Sequence, residues 1–173
     1  MNKIFRVALI ALLCISAVAC SKKQEVRMQK ITPSVQATNE ALPPVAQDSG
    51  KYTPNDLTTD DCLRQRVAYF DFDKTDIKPE FQHIIACHAR YLLDRPTARV
   101  RLEGNTDERG TREYNLGLGE RRGNAVLHAL EAAGVSSSQV SVISYGKEKP
   151  VCRKHNEDCW SKNRRVEIFY TAQ

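Results

Sequence analysis

Two oppositely charged residues, Asp107 and Arg122, are spaced so that together they could hold a small charged ligand. Asp107 lies in a polar loop, and Arg122 shares one helical face with Asn115 and Leu118, at i, i+3 and i+7. A loop carboxylate opposite a guanidinium near a helix N-terminus suits a zwitterion, because Asp107 can accept from an ammonium while Arg122 binds a carboxylate. From spacing alone, a structural Asp–Arg pair on a solvated helix is the alternative.

A strand and a helix must position these residues. Alternating polarity over Arg99–Leu102 predicts a strand that leads to Gly104. Val126, Leu130 and Ala133 recur at i, i+4 and i+7, which predicts a helix after the loop. Three glycines on that helix would let it approach the sheet or a ligand closely: Gly117, Gly119 and Gly123.

The rest of the chain predicts two helices and four strands in the order β-α-β-α-β-β. Pro79 suits the first turn of the first helix, which ends before Pro96, and the second helix spans 114–133. Strands are predicted at 67–70, 100–104, 140–145 and 166–170. This order predicts an α/β fold, an α+β sandwich whose mixed four-stranded sheet has both helices packed on one face.

Four sequence blocks together resemble one known family. They are Tyr-Phe-Asp-Phe-Asp-Lys at 69–74, the stretch 103–126, Ser-Tyr-Gly-Lys-Glu-Lys-Pro at 144–150 and Asn-Arg-Arg at 163–165. From about Val67 to Tyr170 the chain resembles the OmpA-like peptidoglycan-binding domain. The resemblance implies a protein that binds the diaminopimelate-containing stem peptide of peptidoglycan, with no catalysis, cofactor or metal. Diaminopimelate carries a free ammonium and a free carboxylate on its side chain, so it is a zwitterion of the kind described above.

The resemblance also assigns seven residues to peptidoglycan binding: Phe72, Asp73, Thr106, Asp107, Asn115, Leu118 and Arg122. It implies that Asp107 accepts the ammonium, that Arg122 binds a carboxylate and that Asn115 adds a side-chain hydrogen bond. Thr106 and the turn at 72–73 would close the pocket. Leu118 would pack either against the aliphatic stem of the ligand or in the core.

Two further positions stay open. Arg164 or Arg165 could face the pocket from the last strand, and the sequence does not decide between them. Asn105 stands where the family usually has His, and because Asn is small and polar we expect little effect on binding.

The N-terminus predicts export and lipidation. Residues 1–19 have the basic start and short apolar run of a signal peptide. Cys20 follows Ala17-Val18-Ala19, which resembles a lipoprotein cleavage site, and Ser21 implies sorting to the outer membrane. An ordinary cleaved signal is the alternative. Residues 20–60 are polar and rich in Pro, which predicts a flexible tether that lets a folded domain at 61–173 reach the cell wall.

Four cysteines remain in the domain, and an exported protein favours disulfides. Cys152 and Cys159 bracket a short loop and are predicted to pair, which leaves Cys62 to pair with Cys87. A zinc site with Cys152, His155 and Cys159 is the alternative, although no fourth ligand is evident.

Other functions fit the sequence less well. The 26 basic and 21 acidic residues are scattered, which disfavours nucleic-acid binding. A wall hydrolase would use carboxylates and histidine bases, here Asp71, Asp73, Asp107, Glu108, His83, His88, His128 and His155, but no catalytic triad motif is present. His88 falls on an apolar helix face, where a core role is expected.

Porin tails and flagellar stators carry the same domain, but the single acylation site and short tether favour a lipoprotein. Resemblance alone implies TolB and the Tol complex as protein partners. A wall-binding lipoprotein outside the Tol complex is the alternative.

Overall fold

Four strands form one mixed sheet in the structure, a computed structural model that describes residues 51–173. They are β1 (Val67–Tyr69), β2 (Arg99–Asn105), β3 (Val140–Gly146) and β4 (Arg165–Ala172). In the sheet the order is β1-β4-β2-β3. β4 is antiparallel to both β1 and β2, and β3 is parallel to β2. The predicted α/β fold with a mixed four-stranded sheet is confirmed.

Four α-helices and one short 3₁₀ turn accompany the described strands. They are α1 (Asp56–Thr59), α2 (Pro79–Asp94), α3 (Arg112–Ala132), the 3₁₀ turn (Ser137–Gln139) and α4 (Glu157–Asn163). The two long helices, α2 and α3, are those that the sequence predicted. The shorter α4 was not predicted, because seven residues carry too little periodicity to be recognised. No helix within residues 51–173 is long and apolar enough to span a membrane.

The strands alternate between a buried face and a solvent face. On β2, Val100 and Leu102 are buried while Arg101 and Glu103 lie on the opposite face. The buried face continues on β4, and α2 and α3 cover it with their own apolar side chains. His88 of α2 is fully buried in this core, as its position on the apolar face of the helix predicted. The helices therefore cover one face of the sheet, and its other face carries ion pairs such as Arg101–Glu103.

Helix α3 touches the sheet at Gly119. A Cβ atom added there would overlap the Ser144 side chain, and one added to Gly104 of β2 would overlap the Gly119 carbonyl. Gly117 lies on the other side of the helix, where an added Cβ would meet only the end of the flexible Arg121 side chain, at 3.2 Å. Glycine is therefore required for packing at Gly119 and not at Gly117.

The start of the folded domain differs from the prediction. Residues 51–60 were assigned to the tether, yet Leu57 of α1 is 1% exposed and belongs to the apolar core. The Tyr52 ring also packs on the Tyr91 ring, with centroids 5.9 Å apart. The tether prediction therefore does not hold for residues 51–60. The signal peptide at 1–19, the lipidated Cys20 and the tether up to residue 50 lie outside the described residues.

Both predicted disulfides are confirmed. Cys62 pairs with Cys87 across 25 residues, and Cys152 pairs with Cys159 across 7 residues. The zinc alternative is contradicted, because two of its three ligands are oxidised and His155 is hydrogen bonded to Glu108.

A second group of potential metal ligands lies elsewhere in the part of the chain that the structure describes. It consists of Cys62, His83 and Cys87. Two of its sulfurs form a disulfide, and a metal would need them as thiolates.

Candidate functional site

A cavity of about 200 Å³ opens between the loop after β1, the loop after β2 and the first half of α3. We call it the first cavity. All seven residues predicted to bind peptidoglycan line it: Phe72, Asp73, Thr106, Asp107, Asn115, Leu118 and Arg122. Its other lining residues, Arg109, Gly110 and Tyr114, were not predicted.

The loop after β2 begins where the β2–β3 pairing ends. The Thr106 backbone N–H donates to the Gly146 carbonyl at 2.8 Å, so the loop leaves the sheet in a defined direction. Below the loop, the Lys147 ammonium donates to the carbonyls of Glu108 and Gly110, at 3.3 and 2.7 Å. On the helix side, the Thr111 hydroxyl accepts from the Tyr114 N–H and caps α3. These contacts fix the loop from three sides.

Asp107 is fully engaged by its own chain. Its Oδ1 accepts from the Arg109 N–H and Nε, both at 3.1 Å, and its Oδ2 accepts from Arg109 Nη2 at 2.6 Å and Arg164 Nη1 at 3.3 Å. A carboxylate has about four acceptor positions, so all are filled. Burial raises the pKa of Asp107, but these hydrogen bonds outweigh burial and hold its pKa below the usual value. Asp107 is therefore ionised at neutral pH.

Arg122 is buried, and its hydrogen bonds go to backbone carbonyls. Its Nε donates to the Lys74 carbonyl at 2.9 Å, and its Nη1 and Nη2 donate to the carbonyls of Asn105 and Asp71, each at 3.0 Å. The guanidinium has five N–H groups, so two remain for another acceptor. Burial and, to a lesser extent, the nearby charge of Arg164 together lower the pKa of Arg122 to about 10. Arg122 still carries its charge at neutral pH.

Asp107 and Arg122 therefore line one cavity without forming an ion pair with each other. Asp107 pairs with Arg109 and Arg164, and Arg122 binds carbonyls. The alternative of a structural Asp107–Arg122 pair is wrong.

Arg109 is the main residue that sequence reasoning missed. Its guanidinium lies 4.0 Å from the centroid of the Phe72 ring and 4.2 Å from that of Trp160, between the two aromatic side chains. It also lies 3.7 Å from the Glu157 carboxylate. The side chain remains 32% exposed. Its position two residues after Asp107, in a loop, was the one available signal in the sequence.

Asn115 and Leu118 face the cavity from α3. The Asn115 Nδ2 group donates to the carbonyls of Arg109 and Thr111, at 2.9 and 3.0 Å. Both of its N–H groups are used, so Oδ1 is the atom that can meet a ligand donor. Leu118 lines the cavity and lies outside the contiguous apolar core, which favours the first of the two roles considered for it.

The turn after β1 closes the cavity on its outer side. Asp73 has φ of 57°, an unusual value for a residue other than glycine. Its carboxylate accepts a hydrogen bond from the Tyr114 hydroxyl, which raises the pKa of Tyr114. Phe72 is 56% exposed at the rim. The turn and the start of α3 are thus joined by one side-chain hydrogen bond.

The structure shows which of Arg164 and Arg165 lies next to the first cavity. Arg164 is buried beside the first cavity, where it binds Asp107, the Phe70 carbonyl at 2.9 Å and Glu157. Arg165 begins β4 and is also buried; it donates to Glu167 at 2.6 Å and to the carbonyls of Asn163 and Lys149, on the sheet face opposite the long helices. Arg164 therefore supports the cavity, and Arg165 does not.

Three of the carboxylates that a hydrolase could use, Asp71, Asp107 and Glu108, have lowered pKa values. A hydrogen bond from Lys78 lowers the pKa of Asp71, and hydrogen bonds from His155 and Trp160 lower that of Glu108. A general acid needs the opposite shift. The geometry therefore favours binding over hydrolysis.

Comparison with known proteins agrees with this architecture. A family described as the OmpA family matches residues 69–164. A peptidoglycan-associated lipoprotein of Pasteurella multocida is 48% identical over 121 residues, which cover 70% of this chain and 78% of the relative. One from Pseudomonas aeruginosa is 39% identical over 175 residues, which cover 97% and 98%.

A solved structure shares the fold. The crystal structure of the peptidoglycan-associated lipoprotein from Burkholderia pseudomallei matches with a TM-score of 0.64 and 43% identity, and covers 65% of this chain and 96% of that one. These relatives are named for an association and not for a catalytic activity. The chain therefore belongs to the OmpA family and, within that family, to the peptidoglycan-associated lipoproteins.

Proposed function

We propose that the first cavity binds the free end of diaminopimelate in the peptidoglycan stem peptide, without catalysis. The observation that carries this proposal is the composition of the cavity wall. It brings two carboxylates, two guanidiniums, an amide oxygen and an apolar side chain around one space. That set matches a side chain that ends in an ammonium and a carboxylate on an aliphatic stem.

The size of the cavity supports one amino acid as the ligand. Its volume of about 200 Å³ is below the range of roughly 300–1,000 Å³ found for sites that hold drug-sized ligands. A disaccharide of the glycan strand would not fit inside. The peptide, and not the sugar, is therefore the part that enters.

Binding must proceed by exchange of ion-pair partners at Asp107. Because its acceptor positions are filled, the ligand ammonium has to displace a guanidinium, and Arg109 is the exposed one of the two. Once released, Arg109 can bind the ligand carboxylate, while Phe72 and Trp160 keep it at the rim by cation–π contact. The two remaining N–H groups of Arg122 can bind that carboxylate from below.

The test is binding of two tripeptides to the full-length protein by calorimetry. One carries meso-diaminopimelate at its third position, and the other carries lysine, which has the ammonium and lacks the side-chain carboxylate. We expect the first to bind and to release the protein from purified sacculi, and the second to bind at least tenfold more weakly. Equal binding of both, or of neither, would refute the proposed site. Muropeptides released from sacculi by the protein would refute the absence of catalysis.

We further propose that the chain is an outer-membrane lipoprotein acylated at Cys20, whose domain faces the periplasm and links the membrane to the wall. Three acyl chains would hold it firmly, since each buried methylene contributes about 0.8 kcal/mol. By likeness to its relatives we also propose TolB and the Tol complex as partners in envelope integrity and cell division. Mass spectrometry of the mature N-terminus tests the anchor, and a pull-down from solubilised envelopes tests the partners.

A further inference from the structure

A second cavity, of about 260 Å³, lies on the other side of the loop that carries Asp107. Its walls are formed by Thr106, Glu108, Lys147, Pro150, Cys152, Arg153, Lys154, His155 and Asn163. We call it the second cavity. Apart from Thr106, none of the residues assigned to peptidoglycan binding lines it, and it includes one end of the Cys152–Cys159 disulfide.

The second cavity is cationic, and its cations are available. Within residues 51–173, the side chains of Arg153 and Lys154 are exposed and make no ion pair or hydrogen bond. The Lys147 ammonium uses two of its three N–H groups on loop carbonyls. The carboxylate of Glu108 is the acidic group in the wall, and it is hydrogen bonded to His155 and Trp160, each at 2.7 Å.

The loop itself connects the two cavities. Thr106 lines both of them, whereas Asp107 and Arg109 line the first and Glu108 lines the second. The loop therefore separates the two cavities, and a ligand that crosses it at Thr106 can reach both spaces. Consecutive residues of an extended peptide are about 3.3–3.6 Å apart along the chain. One or two residues of the ligand peptide are therefore long enough to span the width of the loop backbone.

The segment behind the second cavity is held in place. The Asn163 side chain accepts from the N–H groups of Val151 and Cys152, at 2.9 and 3.0 Å, and donates to the Cys152 carbonyl at 2.7 Å. The disulfide joins the same segment to α4. Arg153 and Lys154 therefore project from a fixed turn, which favours a binding role over that of two freely moving surface charges.

We propose that the second cavity is a carboxylate subsite for the same wall peptide, which rests on the proposed function of the first cavity. The glycan is uncharged at its ring hydroxyls, whereas the stem peptide carries further carboxylates on either side of diaminopimelate. One is the α-carboxylate of the γ-linked glutamate before it, and the other is the C-terminal carboxylate after it. Arg153 and Lys154 bind one of these groups while the first cavity holds the diamino acid.

The test compares the full-length protein with its Arg153→Gln/Lys154→Gln variant by calorimetry in detergent. The ligands are free meso-diaminopimelate, the stem tetrapeptide, its C-terminal amide, its glutamate α-amide and the double amide. We expect the variant to bind the tetrapeptide about five- to tenfold more weakly, as for two partly exposed charge contacts. We expect no change for free diaminopimelate or for the double amide. The single amide that removes the loss identifies the carboxylate.

A charge-matched control separates a local subsite from general attraction. The Arg64→Gln/Arg90→Gln variant removes two exposed cations that line neither cavity, and it should bind every ligand as the wild-type protein does. An unchanged tetrapeptide affinity in the Arg153/Lys154 variant would overturn the subsite, and so would a loss that persists with the double amide. If free diaminopimelate fails to bind the wild-type protein, the proposal for the first cavity fails separately.

Discussion

Arg122 donates to the carbonyls of Asp71, Lys74 and Asn105, so one side chain joins the loop after β1 to the end of β2. The same guanidinium lies over the Phe70 ring, at 5.2 Å. A residue that binds ligand and also holds the cavity walls cannot be removed without a structural cost. Arg109 makes no comparable set of contacts to distant backbone, and its removal tests binding more directly.

We predict that Arg122→Ala lowers the free energy of unfolding by at least about 3 kcal/mol, because three buried carbonyls lose charged donors at roughly 1–3 kcal/mol each. Urea denaturation measures the loss. The neighbouring Arg121→Ala provides the control, since Arg121 is exposed and should change stability by less than about 0.5 kcal/mol. Equal stability of the two variants would contradict the role assigned to Arg122.

His88 gives the protein a pH-dependent stability. It is fully buried, with Nδ1 2.9 Å from the Tyr170 hydroxyl and Nε2 2.9 Å from the Gln65 carbonyl. Burial lowers the pKa of His88 from 6.5 to about 4. The unfolded chain therefore binds a proton between pH 6.5 and pH 4 that the folded chain does not, and stability falls as pH falls through this window.

We predict a loss on the order of 3 kcal/mol between pH 6.5 and pH 4 from His88, in addition to the loss from carboxylates of lowered pKa. Chemical denaturation at half-unit pH steps measures it. His88→Gln should show a shallower slope in this window, because the ionisable group is gone. Equal slopes in the wild-type protein and in His88→Gln would exclude His88 as the cause.

At the scale of elements, one face of α3 requires glycine for packing and the other face does not. Gly119 contacts the backbone of Gly104 and the Ser144 side chain, so the helix and the β2–β3 pair approach as closely as their backbones allow. This approach brings Asn115, Leu118 and Arg122 against the loop after β2. The close contact at Gly119 is therefore a condition for forming the first cavity.

We predict opposite effects for two alanine substitutions on α3. Gly117→Ala should raise the free energy of unfolding by about 0.5–1 kcal/mol, because alanine favours the helix and only the flexible Arg121 end is near. Gly119→Ala should lower it by about 1–3 kcal/mol or more, because the added methyl overlaps the Ser144 hydroxyl and the Gly104 carbonyl. Thermal and urea denaturation measure the free energy of unfolding of both variants. A stabilising Gly119→Ala would contradict the packing described.

At the scale of the whole molecule, two disulfides restrain different regions. The Cys62–Cys87 bond joins the segment before β1 to α2, and the Cys152–Cys159 bond lies within the connection between β3 and β4. The second bond also borders the second cavity. The first bond therefore acts mainly on global stability, while the second acts on the shape of a local surface.

We predict that replacing Cys62 and Cys87 by alanine costs about 3.5 kcal/mol, and that replacing Cys152 and Cys159 costs about 2.4 kcal/mol. Both values follow from the entropy of closing loops of 25 and 7 residues. Denaturation of the two double variants, each compared with the wild-type protein, measures the costs. A larger cost for the shorter loop would show that loop entropy is not the dominant contribution.

Much of the fold followed from periodicity and local signals. Pro79 marked the start of α2, alternation marked the strands, and the cysteines paired as their positions predicted. Elements without a repeating pattern were missed. Helix α1 has four residues and α4 has seven, and both depend on packing against the rest of the domain for their stability.

The sequence by itself identified seven of the ten residues that line the first cavity, four by their spacing in the loop and along the helix and three by resemblance to the family. Only the tertiary structure decided which charges pair. Asp107 meets Arg164 across 57 residues, and Arg122 meets the Asp71 carbonyl across 51. Spacing along a helix predicts only neighbours within a few turns. A buried charged group is stable only when it is paired, and its partner can be distant in the sequence. That requirement can be read only once the distant segments are packed together.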